Sequence, residues 1–322
     1  MTALDPALID RFRADFVALA GEPDRLGVAL SGGPDSLALL LLAAAAWPGQ
    51  VAAATVDHGL RPESAAEAAL AAAQCLTIGV PHDVLKVAVP DGPDGIQAEA
   101  RKARYAALKD WAAANGIAII ATAHHADDQA ETMLMRLRRG AGLSGLSGIR
   151  SVRIDGALQI VRPLLSIRKA ELSSLAGASG VDMVDDPSNR DPLFDRSGLR
   201  AFLAQDTLFD PIRLARSAAA LAEAEAALDW SAHRLWDARA HRSGDAITIM
   251  VEGVPAELRR RLLVRALATL APDRQLRGND VSRLLATLEA DGTATLAEIR
   301  CEGGVCWRLA PAPPRRATAR ED

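Results

Sequence analysis

The sequence predicts an α/β protein: a doubly wound, mostly parallel sheet, then a helical connector and a small α+β module. Three observations carry this. Over residues 26–139, short apolar runs of strand length alternate with Ala/Leu-rich helical segments. Three of those runs end in polar chemistry, SGGPDS at 31–36, DHG at 57–59 and AHHADD at 123–128. Beyond residue 211 the alternation gives way to one long Ala-rich helical pattern and then short mixed elements.

In chain order, Leu26–Leu30 reads as a strand closed by Ser31-Gly32-Gly33, and Ser36–Ala46 as a helix stopped near Pro48-Gly49. Val51–Val56 is the next strand, Glu63–Ile78 a helix, Asp83–Val89 a third strand, and Gln97–Asn115 a helix with Gly116 at its C-terminal cap. Ile117–Ala121 is a fourth strand and Asp127–Arg139 the helix after it. The Gly/Ser-rich run 140–149 reads as a mobile loop, Arg162–Ala178 as a helix opened by Pro163, and Asp185–Asp195 as a polar loop. These give an expected catalytic domain over 1–210, a helical connector over 211–243, an α+β module over 244–310 and a disordered tail over 311–322. In the module, a hairpin turning at Gly303-Gly304 would put Cys301 and Cys306 on neighbouring strands.

Composition narrows the class. The 322 residues are 49 % hydrophobic and only 3 % aromatic, so Ala, Leu and Val must fill the core. No apolar run is long enough for a membrane span, and the acidic N-terminus lacks a signal-peptide pattern, so a cytoplasmic protein with no membrane partner is expected. Three cysteines make no disulfide framework. Residues 1–210 carry net charge −6 and residues 211–322 carry +2. Any nucleic-acid surface must therefore be a local patch, and arginine supplies nearly all of its charge, since only four lysines are present.

SGGPDS is the sharpest motif. It leaves a strand and opens a helix, where glycines admit a phosphate to the backbone and the free N–H groups of the first turn face it. No lysine follows the glycines, so it is not the GxxxxGK loop of nucleotide triphosphatases. Ser31, Gly32, Gly33, Pro34, Asp35 and Ser36 are the candidate phosphate contacts, with Asp57 and His58 as a wall of the same site. Asp35 and Asp128 are the candidate Mg²⁺ ligands, since Mg²⁺ favours carboxylates plus phosphates. Zinc at the His-His-x-Asp-Asp block is the rival reading; it lacks the i, i+4 histidine pair and a nearby thiol. Asp127 and Asp128 would also cap the following helix, and Arg136, Arg138 and Arg139 at its far end suit phosphate-backbone contact. Arg101 and Arg104 in EARKARY could reach the site mouth.

SGGPDS resembles the pyrophosphate-binding loop of the ATP pyrophosphatases. With VDHGLR, EARKARY, AHHADDQAETMLMRLRRGAGLSGLSGI, RPLLSIRKAEL and DDPSNRDPLFDRSGLR, the chain resembles the tRNA(Ile)-lysidine synthetase family over roughly residues 26–200. The resemblance implies an adenine nucleotide alpha hydrolase-like fold, and ATP, Mg²⁺, free L-lysine and CAU-anticodon tRNA(Ile) as ligands. It implies that ATP adenylates the wobble cytidine at C2 and that the lysine amine displaces AMP. Asp35, Asp128 and His124 would be catalytic, and Arg101, Arg104, Arg138, Arg139, Asn189, Arg196 and Arg200 would serve the tRNA or lysine pocket. One departure is Ser197, where the family's RNxxR-like segment has asparagine. Two rivals stand beside it: another ATP pyrophosphatase acting on tRNA, such as a thiolase, and a non-catalytic RNA-binding protein. The sequence leaves a homodimer open.

Overall fold

The computed structural model describes residues 4–59, 62–90, 92, 95–183, 198–199, 203, 208–274 and 276–313. It divides into two compact units, Met1–Ala222 and Glu223–Asp322.

The first unit is built on a six-stranded sheet. Its strands are β1 (Leu26–Ala29), β2 (Val51–Asp57), β3 (His82–Lys86), β4 (Ile119–Ala121), β5 (Val152–Asp155) and β6 (Leu158–Val161), in the order β3-β2-β1-β4-β6-β5. All neighbours are parallel except β5, which pairs antiparallel with β6 at the edge. The chain winds outward from β1 to β3, then returns across the sheet to β4 on the other side of β1. The strand order therefore reverses between β1 and β4, and a ligand crevice opens beyond their carboxyl ends.

Helices α1 (Pro6–Ala20), α2 (Pro34–Ala46) and α3 (Ser64–Ile78) contribute to one apolar cluster, and α4 (Ile96–Ala114) to a second. The expected parallel strands and α2–α4 are present, which is the doubly wound architecture. Helix α2 is apolar all round, and Leu37–Ala43 are all buried, as suits a central helix. The helix α5 (Ala126–Arg138) follows β4.

Four features differ from the sequence reading. The N-terminal helix α1 was not anticipated; Asp5 caps it, Pro6 opens it, and Phe12 and Phe16 pack with Trp47. The β5–β6 hairpin, turning at Asp155–Leu158 with Gly156 at φ +65°, supplies two strands where none was read. The segment read as a helix over Arg162–Ala178 is helical only in α7 (Lys169–Ala178); Leu164 and Ile167 are buried in a turn before it. The Gly/Ser run 140–149 is tied down rather than open. It holds a short helix, α6 (Leu143–Leu146), and the Arg136 guanidinium donates to Gly145 O and Gly148 O at 2.8 and 2.9 Å. Arg136 is thus turned onto its own loop and is not offered to a phosphate backbone.

Helix α8 (Pro211–Arg239) begins in the first unit and ends in the second. The second unit holds strands β7 (Ala240–Ser243), β8 (Ala246–Met250), β9 (Thr293–Leu296), β10 (Ile299–Glu302) and β11 (Cys306–Pro311), antiparallel in the order β7-β8-β11-β10-β9. Helices α9 (Ala256–Leu270) and α10 (Gly278–Glu289) bury Leu262, Leu263, Leu284 and Leu288 against Ile249, Trp307 and Leu309 of the sheet. Cys301 and Cys306 do lie on the adjacent strands β10 and β11. Among the described residues, no helix is long and apolar enough to cross a membrane.

Candidate functional site

The loop between β1 and α2 is shaped by its own sequence. Gly32 takes φ +81°, which side chains disfavour, and its carbonyl accepts a 2.9 Å hydrogen bond from the buried Gln74 side chain on α3. Gly33 caps α2 without any side chain over the helix end, and Pro34 opens the first turn. The first-turn N–H groups are therefore left to an incoming anion. Ser36, only 5 % exposed, fixes the loop from inside. Its hydroxyl oxygen accepts from Ser31 N–H at 3.1 Å, lies 3.0 Å from the Ser31 hydroxyl, and donates to Gly33 O at 3.0 Å.

This loop opens onto a cavity of about 720 Å³. Ser31, Asp35, Ser36, His58, Arg101, Arg104, His124 and Asp128 all line it, together with Gln97 and Tyr105. Residues from the ends of β1 and β4 and from helices α4 and α5 thus meet at the crevice the topology predicts. Asp57 does not line it; its carboxylate accepts the Gly59 N–H at 2.9 Å and is held below its ordinary pKa by that bond first, then by Ser64. Arg138 and Arg139 are exposed at the far end of α5, about 18 Å of helix rise from its first residue. Asn189, Arg196 and Arg200, and with them the Asp185–Asp195 loop, lie outside the described residues, as do positions 314–322 of the tail.

Electrostatics divide the lining into acids and unpaired cations. Among the described residues, neither Arg101 nor Arg104 has an acidic partner, and burial lowers the Arg104 pKa. Burial, then the charge of Arg104, lowers the pKa of His58. Burial also drives His124 down to about 4, with Arg162, Arg101 and Arg104 pushing the same way against the pull of Asp128. His124 is a neutral ring at physiological pH, oriented by a 3.0 Å bond between its Nδ1 and the Thr122 hydroxyl.

The adjacent ring behaves oppositely. His125 caps α5: its Nδ1 accepts from Asp128 N–H at 3.3 Å, while the Asp128 carboxylate accepts from His125 N–H at 3.1 Å. Its Nε2 lies 3.5 Å from one carboxylate oxygen of Asp35 and 3.5 Å from one of Asp128. Burial works against a charge on this ring, but the bond to Asp35 and the surrounding carboxylates lift its pKa above the ordinary value. Asp127, expected to cap α5, instead accepts from Lys169 N–H at 2.7 Å and pairs with Arg168 at 3.2 Å, joining α5 to α7. One oxygen of Asp35 is buried with no partner. Among the described residues, no three His, Cys, Asp or Glu groups are disposed to enclose a metal. The pair Asp35 and Asp128 fits Mg²⁺ of the kind that takes one or two carboxylates and completes its shell with nucleotide phosphates and water.

The sequence reading did not single out Tyr105 and Arg162. Arg162, 4 % exposed at the end of β6, donates to Arg150 O at 2.7 Å, and its Nε has no partner. The Tyr105 hydroxyl bonds to Arg162, and Arg101 and Arg153 sit 5.1 and 5.3 Å from its ring centre. The chain's only tyrosine thus holds a guanidinium cluster together on the cavity wall.

The chain is similar to known proteins over most of its length. The family model of the PP-loop domain matches residues 8–207. A tRNA(Ile)-lysidine synthase of Novosphingobium aromaticivorans is 45 % identical over 317 residues, covering 97 % of this chain and 96 % of its own. The corresponding protein of Zymomonas mobilis is 40 % identical over 297 residues, with 91 % and 90 % covered. Among solved structures, a U34-tRNA thiolase from Methanococcus maripaludis matches with a TM-score of 0.54 over 67 % of this chain and 78 % of that one. At 18 % identity that likeness speaks to the fold alone.

Proposed function

We propose that this chain, which belongs to the tRNA(Ile)-lysidine synthase family and carries a PP-loop domain, ligates free L-lysine to C2 of the wobble cytidine of CAU-anticodon tRNA(Ile) through an adenylated tRNA, consuming ATP and releasing AMP and pyrophosphate. The observation that carries the chemistry is the convergence of the loop 31–36, Asp128, His124, Arg101 and Arg104 on one cavity at the strand-order reversal.

In this reading the bare first turn of α2, with Ser31 beside it and Ser36 holding the loop in shape from inside, receives the pyrophosphate of ATP. The C2 oxygen of cytidine attacks the α-phosphorus, and pyrophosphate leaves toward these donors. Asp35 and Asp128 would hold Mg²⁺, which would supply positive charge beside the phosphates. Arg104, desolvated by burial, and Arg101, exposed beside it, add positive charge on the cavity wall. His58 and the turn fixed by Asp57 form the nucleotide-side wall. The lysine ε-amine then attacks C2, AMP departs with the bond electrons, and the amine gives up a proton. His124, neutral above about pH 4, is suited to hydrogen bonding at the base rather than to carrying charge. Arg138 and Arg139 serve the tRNA backbone, and Asn189, Arg196 and Arg200 the lysine and base pocket.

Thiolation is the weaker reading on an observation of its own. No cysteine lines the cavity, and burial pushes the Cys75 and Cys301 thiols up to about 12, far from a reactive thiolate.

The test uses ATP labelled at the α-phosphate with tRNA(Ile) and no lysine. The wild type should accumulate labelled tRNA that releases AMP on adding lysine, and Asp35→Ala should accumulate none while binding tRNA normally. Labelled protein in place of labelled tRNA would refute the adenylated-tRNA route.

A further inference from the structure

We propose that His125 is a positioning residue that holds the Asp35 and Asp128 carboxylates together for a divalent cation, with one N–H shared between an acid of the PP-loop and an acid of α5. This rests on the reading of Asp35 and Asp128 as Mg²⁺ ligands. The side chain of His125 is only 3 % exposed and does not line the cavity, so it acts through the two acids and not on ATP itself.

The ring's two nitrogens have separate tasks. Nδ1 accepts the Asp128 backbone N–H, which places the ring's hydrogen on Nε2 in the neutral form. Nε2 then faces Asp35 and Asp128 at 3.5 Å each. Those two acids stand on different elements, one on the first turn of α2 and one on the first turn of α5, and like charges drive such a pair apart. A donor between them offsets that repulsion, and the buried Oδ1 of Asp35 is left for a cation. Asp127, 3.8 Å from Nδ1, is not a third ligand, because Arg168 and Lys169 N–H already engage it. The unpartnered oxygen of Asp35 belongs to the pair that His125 bridges.

Two variants separate the tasks by side-chain length. His125→Asn places an acceptor near the Nδ1 position and keeps the helix cap, but does not reach the acids. His125→Gln places a donor near the Nε2 position and gives up the cap. Each is measured by thermal unfolding and by Mn²⁺ titration, with free Mn²⁺ read by electron paramagnetic resonance in the presence of a non-hydrolysable ATP analogue. The expected result is that His125→Asn keeps the wild-type Tm but binds Mn²⁺ at least tenfold more weakly. His125→Gln should unfold at lower temperature yet bind Mn²⁺ within threefold of wild type. Mn²⁺ affinity that tracks Tm across both variants, or that is unchanged in His125→Asn, would overturn the positioning role. Wild-type protein that holds no Mn²⁺ with the analogue would overturn the metal reading beneath it as well.

Discussion

Replacing Ser36 by alanine isolates what the loop's internal hydrogen bonds contribute. The Ser36 hydroxyl makes three contacts: it receives the Ser31 N–H and the Ser31 hydroxyl and donates to Gly33 O. Each such bond contributes about 0.5–1.5 kcal/mol net. Losing all three, with Ser31 N–H left half-buried, should cost the ordered loop roughly 2–3 kcal/mol. At 1.36 kcal/mol per tenfold, that is a fall of about 30- to 150-fold in kcat/KM for ATP. The assay is tRNA-dependent release of labelled pyrophosphate, with tRNA affinity measured alongside by filter binding. Ser36→Ala should keep tRNA affinity within twofold, because the hydroxyl is used up inside the loop. A fall of less than threefold, or an equal fall in tRNA affinity, would refute this account of the loop.

Three further outcomes are expected. His124 has a folded pKa of about 4 against an ordinary 6.5, so the unfolded chain binds more protons in that window and stability drops as pH falls from 6.5 to 4. His124→Asn should remove about 2 kcal/mol of that loss, seen in urea unfolding at pH 7 and pH 5; the neighbouring His125, with its raised pKa, contributes with the opposite sign, its share present at low pH and lost as pH rises through its folded pKa. Identical pH dependence in variant and wild type would count against the buried neutral ring. In the second unit, Arg261 is 9 % exposed and pairs with Glu225, 5 % exposed, at 2.6 Å, and also with Asp229 and Glu257. Arg261→Ala takes the guanidinium from a buried carboxylate and should cost about 3–5 kcal/mol in hydrogen-exchange protection of α9, whereas Glu225→Gln should cost less. Gly148 has φ +66°, and a Cβ there would meet the Gln129 amide at 2.4 Å. Gly148→Ala should displace Gln129 from Ile149 and destabilise the first unit by about 2 kcal/mol or more by thermal unfolding.

What the sequence made legible was local. A strand running into Ser-Gly-Gly and then an apolar helix is decided by backbone conformation and the helix end, both short-range. The signals for α1 and the β5–β6 hairpin were equally local, an Asp-Pro start with Phe12 and Phe16 one turn apart, and an Asp-Gly turn, but they lie outside the motif-bearing segments. The partners of Asp127 were not legible, because Arg168 and Lys169 come some forty residues later through α7. Arg136 reads as a surface cation beside Arg138 and Arg139, and only the folded loop 140–149 shows it turned inward. Two consecutive histidines likewise give no sign from composition alone of which ring meets the cavity. The cap position does: the residue just before α5 turns its ring onto the helix end, and its neighbour His124 is left to the cavity.

The central claim is that ATP activates one cytidine and lysine displaces AMP. The most direct test is incorporation of radiolabelled lysine into unmodified tRNA(Ile) carrying the CAU anticodon, with ATP and Mg²⁺ and a control tRNA with uridine at the wobble position. The account predicts label that requires ATP and the cytidine together, with one AMP released per lysine incorporated. AMP release without lysine transfer, or equal labelling of the uridine control, would contradict it.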